Sequence, residues 1–206
     1  MKNSHQKIYL ASKSPRRREL LRQIGVDFEL LLLRDKLPRG PDVCEEVLEH
    51  ELPAAYVARV TLEKAAFAFK TMHWRRLPVR PILAADTTVT IDNAILGKPA
   101  DMAEATAMLQ RLSGRTHQVL TSIVVIHLEQ SWQITQTSEV VFQTLSEQMI
   151  HAYCATSEPY DKAGAYGIQG SAAVFIERIN GSHSGIMGLP LFETAQLLQQ
   201  AGIRIL

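Results

Sequence analysis

The 206-residue chain lacks the marks of a secreted, membrane or metal-scaffold protein. Its two cysteines, Cys44 and Cys154, have no histidines at metal-ligand spacing, so they indicate neither a zinc motif nor a disulfide framework. We favour two reduced thiols over one intramolecular bridge. No apolar run approaches the ~20 residues of a membrane helix, and Met1–Leu10 has no apolar signal-peptide core. These absences predict a cytoplasmic protein.

The sequence also lacks an excess of either charge. Lysine and arginine number 22 and aspartate and glutamate 21, for a formal net charge of +1. A protein whose main partner is a nucleic-acid polymer needs a broad basic surface to displace counterions, so the balance argues against that class. A small anionic ligand held by a few local cations remains compatible with it. The 46% apolar content is ordinary for a globular protein.

Apolar runs alternate with segments of helical periodicity along the chain, which is the pattern of an α/β protein. We predict strands over residues 8–11, 28–33, 82–91, 119–128, 132–145 and 172–179. We predict helices over 15–24, 53–72, 102–112, 146–153 and 190–201. Residues 34–52 are predicted to be a long loop, and Glu129-Gln130-Ser131 a hairpin turn. We find no repeat or linker, so we expect one compact unit with two lobes around a cleft.

Residues 12–18, Ser-Lys-Ser-Pro-Arg-Arg-Arg, place three arginines in the first turn of a predicted helix. The helix dipole already makes this end positive, so each cation there is disfavoured by up to ~1 kcal/mol. A bound anion would remove the conflict, because free backbone N–H groups and guanidinium groups both suit phosphate. The alternative is a solvated basic face, and the spacing alone leaves both interpretations open. The segment is not a P-loop.

Asp86 lies inside the apolar strand predicted over residues 82–91. A carboxylate there is costly to bury unless it is paired, hydrogen-bonded or metal-bound. Asp86 is therefore a candidate metal ligand or general base. The alternative is an aspartate at a strand end that is capped by the neighbouring threonine hydroxyls.

Two further segments suit a ligand site but have plain structural alternatives. Lys98 is fixed between Gly97 and Pro99, although most such lysines are simply exposed. Residues 161–170 are dense in glycine, which permits close backbone approach to a ligand, and they contain Lys162 and Gln169. A flexible surface turn is the alternative there. Together the four features indicate at most a phosphate-ester or anhydride site.

Six groups of residues then occur in order along nearly the whole chain. They are Leu-Ala-Ser-Lys-Ser-Pro-Arg-Arg (10–17), Ala-Asp-Thr (85–87), Gly-Lys-Pro (97–99), Leu-Ser-Gly-Arg-Thr-His (112–117), Asp-Lys-Ala-Gly-Ala-Tyr-Gly-Ile-Gln-Gly (161–170), and Asn-Gly-Ser with Gly-Leu-Pro (180–182, 188–190). In this combination the sequence resembles the Maf family of nucleoside triphosphate pyrophosphatases. The resemblance implies a single Maf-like domain over residues 1–206. It also implies a mixed, curved central sheet flanked by helices.

The resemblance implies hydrolysis of the α–β phosphoanhydride of a nucleoside triphosphate, with Mg²⁺ or Mn²⁺ as cofactor. The family's proton acceptor corresponds to Asp86, and a carboxylate can deprotonate an attacking water or hold a metal. Lys64 lies in the string Arg-Val-Thr-Leu-Glu-Lys-Ala (59–65), which resembles a helix of the family. The phosphate-binding residues implied in this way are Ser12, Arg16, Arg17, Lys64, Lys98 and Lys162.

The specificity positions implied by the resemblance are Arg16, Thr87 and Gln169. The family branch that acts on dTTP and UTP has the Asp-Lys and Gln found here. A sibling branch directed at 7-methyl-GTP has Asp-Cys instead and lacks the Gln. A side-chain amide can pair with the O4 and N3–H edge of thymine or uracil. We therefore assign the chain to the dTTP/UTP branch, with the 7-methyl-GTP branch as the alternative.

One stretch departs from the family pattern. The family usually has Asp-Val-Asp-Glu soon after the second strand, with its Glu near the metal. This chain has Asp-Val-Cys-Glu at residues 42–45 and a longer connection from Leu33. We assign Glu45 as the metal-side carboxylate beside Asp86, with Glu46 as the alternative.

These expectations describe a housecleaning enzyme that removes dTTP, UTP and modified pyrimidine triphosphates. Family analogy alone suggests a homodimer, and neither nucleic acid nor membrane is expected as a partner. An alternative of another class is a nucleotide-binding regulator of septum formation. A protein that only binds nucleotides would need the cations but no general base, so the presence of Asp86 favours catalysis. The two roles are compatible.

Overall fold

A computed structural model describes residues 7–33 and 43–205 of the chain. The helices in these ranges are α1 (Pro15–Gln23), α2 (Pro53–Trp74), α3 (Met102–Leu112), α4 (Glu147–Cys154), α5 (His183–Ile186) and α6 (Leu191–Gln200). The strands are β1 (Ile8–Leu10), β2 (Phe28–Leu30), β3 (Ile82–Ile91), β4 (Ala94–Leu96), β5 (Thr116–His127), β6 (Gln130–Phe142) and β7 (Ile176–Asn180). The predicted loop over 34–52 lies partly outside the described residues. Its described part, residues 43–52, contains neither helix nor strand.

The predicted helix starts are confirmed by their capping contacts. The Ser14 side chain accepts a hydrogen bond from a backbone N–H in the first turn of α1. Asp101 does the same for α3, and Ser146 for α4. Pro53 occupies the first turn of α2, where a missing N–H costs nothing. Local sequence therefore determines where these four helices begin.

The strands form one mixed sheet in the order β2-β1-β3-β5-β6-β7, with β4 paired to β3. Strand β1 is parallel to both β2 and β3, and the remaining pairs are antiparallel. The expected mixed sheet flanked by helices is confirmed. None of the helices in the described ranges has the length and apolar character that spanning a bilayer requires.

Side-chain alternation along β3 assigns its residues to two different cores. Leu83 and Ala85 pack with residues of α1 and α6 on one face of the sheet. Ile82 and Ala84 pack with residues of α2 on the other face. Since successive side chains of a strand point to opposite faces, residue 86 belongs to the α2 face and residue 87 to the α1 face.

A third apolar cluster forms the second lobe beyond the end of β3. Val89 and Ile91 pack there with residues of α3 and α4, and with Phe142 and Phe175. Within the described residues, the two lobes therefore share β3 as a common element, and each has its own buried side chains. The predicted arrangement of two lobes agrees with this packing.

One edge of β3 is paired only at its two ends. Strand β1 pairs with Ile82 and Leu83, and the Ala11 N–H donates to the Leu83 carbonyl. Strand β4 pairs with residues 89–91 of the same edge. Within the described part of the chain, residues 85–88 have no strand partner on that side. The sheet is thus open at the point where β1 ends and the chain turns into α1.

The strand predicted over 172–179 is wrong in its first half. Residues Ser171–Phe175 form a 3-10 helix, and β7 begins only at Ile176. A 3-10 turn brings residues three apart onto one side, and Ala172 and Phe175 are both buried. Burial of this pair therefore outweighs the β-branched character of the segment.

Several element boundaries also differ from the prediction. Strand β2 ends at Leu30 rather than at residue 33. The turn of the β5–β6 hairpin lies at residues 128–129, where Leu128 has φ of 56°, so β6 begins one residue after Glu129. The short elements β4 and α5 were not predicted, because three or four residues are too few to show a periodicity.

A buried histidine links β5 to the glycine-rich segment in the second lobe. His117 Nε2 lies 2.7 Å from the Tyr166 hydroxyl, and the imidazole packs edge-on against Phe142. His117 is only 2% exposed. Burial lowers the pKa of His117 from 6.5 to about 4, so the ring is neutral at physiological pH.

The buried histidine predicts a pH dependence of stability. Between pH 6.5 and about 4 the unfolded chain binds a proton at His117 that the folded protein does not bind. The free energy of unfolding therefore rises with pH across this window and falls as the medium is acidified. Replacing His117 by Gln should lower that slope by up to ~1.4 kcal/mol per pH unit. Urea denaturation at a series of pH values measures the slope.

Tyr166→Phe is the matched control, because it removes the hydrogen bond but keeps the buried imidazole that causes the pKa shift. Its slope should stay close to that of the wild type. Equal slopes for the wild type and His117→Gln would contradict the assignment.

Candidate active site

A cavity of about 630 Å³ opens at the unpaired stretch of β3. All the residues predicted for the site line this cavity: Ser12, Arg16, Arg17, Glu45, Lys64, Asp86, Thr87, Lys98, Lys162 and Gln169. They come from both lobes, so the cavity occupies the predicted cleft. Parts of the chain up to 157 residues apart in sequence, from Ser12 to Gln169, thus meet in one place.

Two carboxylates share one ammonium group at the α2 side of the cavity. Lys64 Nζ donates to Asp86 Oδ1 at 2.7 Å and lies 2.9 Å from Glu45 Oε1. The Lys64 and Asp86 side chains are only 16% and 15% exposed. Because the cluster has two negative groups and one positive group, it carries a surplus negative charge. We call Glu45, Lys64 and Asp86 the acidic cluster.

The structure places Glu45, and not Glu46, in this cluster. The Glu45 side chain reaches Lys64 and lines the cavity. Glu46 instead contributes its backbone carbonyl, which accepts a hydrogen bond from Arg59 Nη2 at 2.9 Å. Asp42, the first residue of the string that carried the assignment, lies outside the described residues.

Tyr56 on α2 was missed in the sequence and closes this side of the cavity. Its hydroxyl donates to the Glu45 carbonyl at 3.0 Å. Burial, with the nearby charges of Asp86 and Glu45, raises the pKa of Tyr56 to about 12. The phenol is therefore a fixed donor at neutral pH. The only sign of a site role for Tyr56 in the sequence was its position one turn of α2 before Arg59. A tyrosine of the core would fit that position equally well.

Arg17 binds protein atoms on the α1 side of the cavity. Its Nε donates to the Gly188 carbonyl at 2.7 Å, Nη1 to Ser12 Oγ at 3.1 Å, and Nη2 to Thr87 Oγ1 at 3.2 Å. Burial lowers the pKa of Arg17, and the negative charge of Asp86 opposes that shift. Arg17 thus ties together the end of β1, the open edge of β3 and the loop before α6.

A chain of hydroxyl groups continues from Arg17 across the sheet. Thr87 Oγ1 lies 3.0 Å from Thr121 Oγ1, and Thr121 donates to the Gly185 carbonyl at 2.8 Å. Thr121 comes from β5, directly opposite Thr87 in the β3–β5 ladder. No local sequence signal identifies Thr121, because only the strand register brings it to this place. The Thr87 hydroxyl is therefore fixed from two sides.

The glycine-rich segment forms the opposite wall of the cavity. Lys162 Nζ donates to the Glu158 carbonyl and to Asp161 Oδ1, both at 2.6 Å. A Cβ added to Gly167 would lie 2.6 Å from Lys162 Cε and 3.6 Å from Arg16 Nη1. Arg16 therefore reaches from α1 toward this wall. Lys162 faces the cavity but has its ammonium bound within its own segment.

Three predicted residues remain available to a ligand. Arg16, Lys98 and Gln169 line the cavity and make no side-chain hydrogen bond to any described residue. Lys98 and Gln169 are exposed at the cavity mouth. The acidic cluster thus lies at the α2 side of the cavity. The two cations, Arg16 and Lys98, and the Gln169 amide line the cavity toward the second lobe.

The donor set of the acidic cluster suits a divalent cation that arrives with a phosphate ligand. Among the described residues, no three His, Cys, Asp or Glu side chains gather at one point to hold a metal alone. Mg²⁺ commonly takes one or two carboxylates and fills its other positions with waters and substrate phosphates. Glu45 and Asp86 fit that pattern, since oxygens of both lie within 3 Å of one ammonium.

The comparisons with known proteins cover nearly the whole chain. Residues 7–201 match a family described as Maf-like protein. A dTTP/UTP pyrophosphatase of Burkholderia orbicola is 55% identical over 202 residues, covering 95% of this chain and 93% of its own. A dTTP/UTP pyrophosphatase of Aromatoleum aromaticum is 52% identical over 204 residues, covering 98% of each chain. The match to these relatives is therefore nearly full-length.

A solved structure, the Ham1 protein of Staphylococcus aureus, is also similar in part. It covers 66% of this chain and 71% of its own, with a TM-score of 0.42 and 14% sequence identity. A likeness this weak bears on no residue of the cavity.

Two glycines of the glycine-rich segment, Gly164 in the core and Gly167 at the cavity, should respond differently to substitution by alanine. Gly164 has φ of +70°, and an added Cβ would lie 2.9 Å from Val89 Cβ in the core. Gly164→Ala should therefore lower the free energy of unfolding by ~1–3 kcal/mol. At Gly167 the obstacle is the end of a flexible lysine, so Gly167→Ala should cost less than ~1 kcal/mol.

Urea denaturation of the two variants measures the difference, and Gly167→Ala serves as the matched control. Equal losses of stability, or a larger loss for Gly167→Ala, would contradict the described packing of this wall.

Proposed function

The chain belongs to the Maf-like protein family, and from this premise we propose that it is a nucleoside triphosphate pyrophosphatase acting on dTTP and UTP. The reaction hydrolyses the α–β phosphoanhydride and yields the nucleoside monophosphate and pyrophosphate. The observation that carries the proposal is the convergence of a carboxylate–lysine cluster, free cations and an amide on one cavity. The related dTTP/UTP pyrophosphatases match nearly the whole chain, which supports the same substrate choice.

Asp86 accepts the proton of the attacking water in this proposal. Its Oδ1 is held by Lys64 Nζ, whereas its other oxygen has no hydrogen bond to a described residue. A carboxylate in this position can orient a water and take its proton as the water attacks phosphorus. The position of Asp86 on the open edge of β3 lets that water approach from the cavity.

The cations of the cavity bind the phosphates. Lys98 and Arg16 are free to contact phosphate oxygens, and Lys64 can stabilise charge that develops on the pyrophosphate leaving group. Lys162 joins them only by exchanging its bonds to the Glu158 carbonyl and Asp161 for phosphate oxygens. Ser12 and Arg17 hold the site together, because Arg17 donates hydrogen bonds to the hydroxyls of Ser12 and Thr87.

Gln169, Thr87 and Arg16 select the base. The Gln169 amide both donates and accepts, which matches the O4 and N3–H edge of thymine and uracil. Arg16 reaches the wall that carries Gln169, and the hydroxyl of Thr87 is fixed in direction by Arg17 and Thr121. When the base binds at this wall, the triphosphate extends toward the acidic cluster.

Glu45 and Asp86 hold Mg²⁺ or Mn²⁺ in this proposal, since their donor set suits a metal that also binds substrate phosphate. Such a cation, when bound, neutralises phosphate charge and lowers the pKa of a water that it contacts. Lys64 then supplies the positive charge that keeps the two carboxylates together before the metal arrives.

We also propose a cytoplasmic location, a homodimer, removal of modified pyrimidine triphosphates, and a link to the arrest of septum formation. The 7-methyl-GTP alternative is disfavoured by Lys162 and Gln169, which both line the cavity. A purely regulatory binder would have no need for the carboxylate that faces the cavity from β3.

The role of Asp86 is tested by Asp86→Asn. The amide keeps the size of the side chain but cannot accept the proton, so kcat for dTTP and UTP should fall by at least ~10². Pyrophosphate release measures the rate. Asp27→Asn, at an exposed position outside the cavity, is the matched control and should keep the wild-type rate. Asp86→Asn activity within a few-fold of wild type would exclude the role of general base.

The role of Gln169 is tested by Gln169→Ala. The change removes the amide from the wall at which the base is proposed to bind, and it leaves the acidic cluster intact. It should therefore change the order of preference among dTTP, UTP and 7-methyl-GTP more than it lowers kcat. The assay compares kcat/KM for the three substrates, with Mg²⁺ or Mn²⁺ and without added metal. The wild type should prefer dTTP and UTP. An unchanged ranking in Gln169→Ala, or a wild-type preference for 7-methyl-GTP, would contradict the assignment.

A further inference from the structure

The carboxylate of Glu45 is carried by a segment with no regular secondary structure. Residues 43–52 contain neither helix nor strand, so no backbone ladder fixes their position. A side chain on such a segment contributes to a metal site only if other contacts hold it within a fraction of an ångström. The contacts that hold this segment therefore determine whether Glu45 is in place.

Arg59 on α2 makes the most extensive of these contacts. Its Nε donates to Glu51 Oε1 at 2.6 Å, and its Nη2 to Glu51 Oε2 at 2.8 Å. The same Nη2 donates to the Glu46 carbonyl at 2.9 Å. One guanidinium group thus binds the segment at two points, one residue and six residues after Glu45.

The geometry requires an arginine. A guanidinium presents a planar fork that matches both oxygens of a carboxylate, whereas a lysine ammonium is a single point of charge. The pair is shielded, since the Glu51 side chain is 8% exposed and that of Arg59 23%. The hydrogen bonds from Arg59 lower the pKa of Glu51 to about 2, so the pair stays charged across the neutral range.

Helix α2 contributes three partners of this segment, at successive points along its length. Tyr56 donates to the Glu45 carbonyl, Arg59 holds Glu46 and Glu51, and Lys64 meets the Glu45 carboxylate. The Arg59 guanidinium also lies 5.8 Å from the centre of the Tyr56 ring. Arg59 and Lys64 are five residues apart, about 7.5 Å along a helix, so they act at separate points.

We propose that Arg59 is a positioning residue that holds the Glu45 carboxylate beside Asp86 for binding a divalent cation. It acts through the Glu46 carbonyl and the Glu51 carboxylate and contacts neither metal nor substrate. The inference rests on the proposed function, in which Glu45 is a metal-side carboxylate. Residues that orient metal ligands commonly change metal affinity by 10–100-fold when they are replaced.

The test is Mn²⁺ binding measured by electron paramagnetic resonance, with a non-hydrolysable dTTP analogue present and no turnover. The variants are Arg59→Gln, Glu45→Gln and the double variant. Glu51→Gln breaks the same fork from the segment side, where α2 is left unchanged. Glu63→Gln is the matched control, because Glu63 also binds Arg59 but lies on α2 itself, 3.3 Å from Nη1.

We expect Arg59→Gln to weaken Mn²⁺ binding by at least ~10-fold and Glu51→Gln to weaken it in the same direction. The double variant should bind Mn²⁺ no more weakly than Glu45→Gln alone, because Arg59 acts only through Glu45. Glu63→Gln should stay within about 2-fold of wild type. Amide hydrogen exchange should rise in residues 43–52 of Arg59→Gln and stay unchanged in β5.

Two outcomes would overturn the inference while the proposed function stands. One is wild-type Mn²⁺ binding in both Arg59→Gln and Glu51→Gln while Glu45→Gln weakens it. The other is additive weakening in the double variant. If Glu45→Gln itself leaves Mn²⁺ binding unchanged, the metal role of Glu45 fails and the positioning role of Arg59 fails with it.

Discussion

The site depends on the interrupted pairing along one edge of β3. Strand β1 covers the beginning of that edge and β4 its end, which leaves residues 85–88 facing a cavity. Because side chains alternate along a strand, Asp86 points to the α2 face of the sheet, where it accepts a hydrogen bond from Lys64. Thr87 points to the α1 face, where it accepts a hydrogen bond from Arg17. Two adjacent residues thus serve two sides of one cavity.

Charge placement explains how a chain with a net charge of +1 can bind a polyphosphate. The acidic cluster carries surplus negative charge that a divalent cation offsets, while Arg16 and Lys98 remain available for phosphate oxygens. The cations are not equivalent, since Arg17 is occupied by three protein oxygens and Lys162 by its own segment. Total charge argues against a nucleic-acid polymer as the main partner, but only the structure separates ligand-binding cations from supporting ones.

The sequence predicts the helix starts and the strand β3 because capping residues and apolar runs are local signals. Family resemblance locates the cavity residues, and Glu45 is found despite the longer connection before it. Thr121, Tyr56 and Arg59 are beyond such prediction, since their roles follow from strand register and from the way residues 43–52 lie on α2. The 3-10 helix at Ser171–Phe175 is missed because burial of Ala172 and Phe175 outweighs local propensity.

The most direct test of the account is a crystal structure with Mn²⁺ and a dTTP analogue whose α–β bridge is an imido group. We expect the thymine edge at Gln169, the α-phosphate beside Asp86, and the metal beside Glu45 and Asp86. A thymine ring at the acidic cluster, or a triphosphate bound outside the cavity, would contradict it.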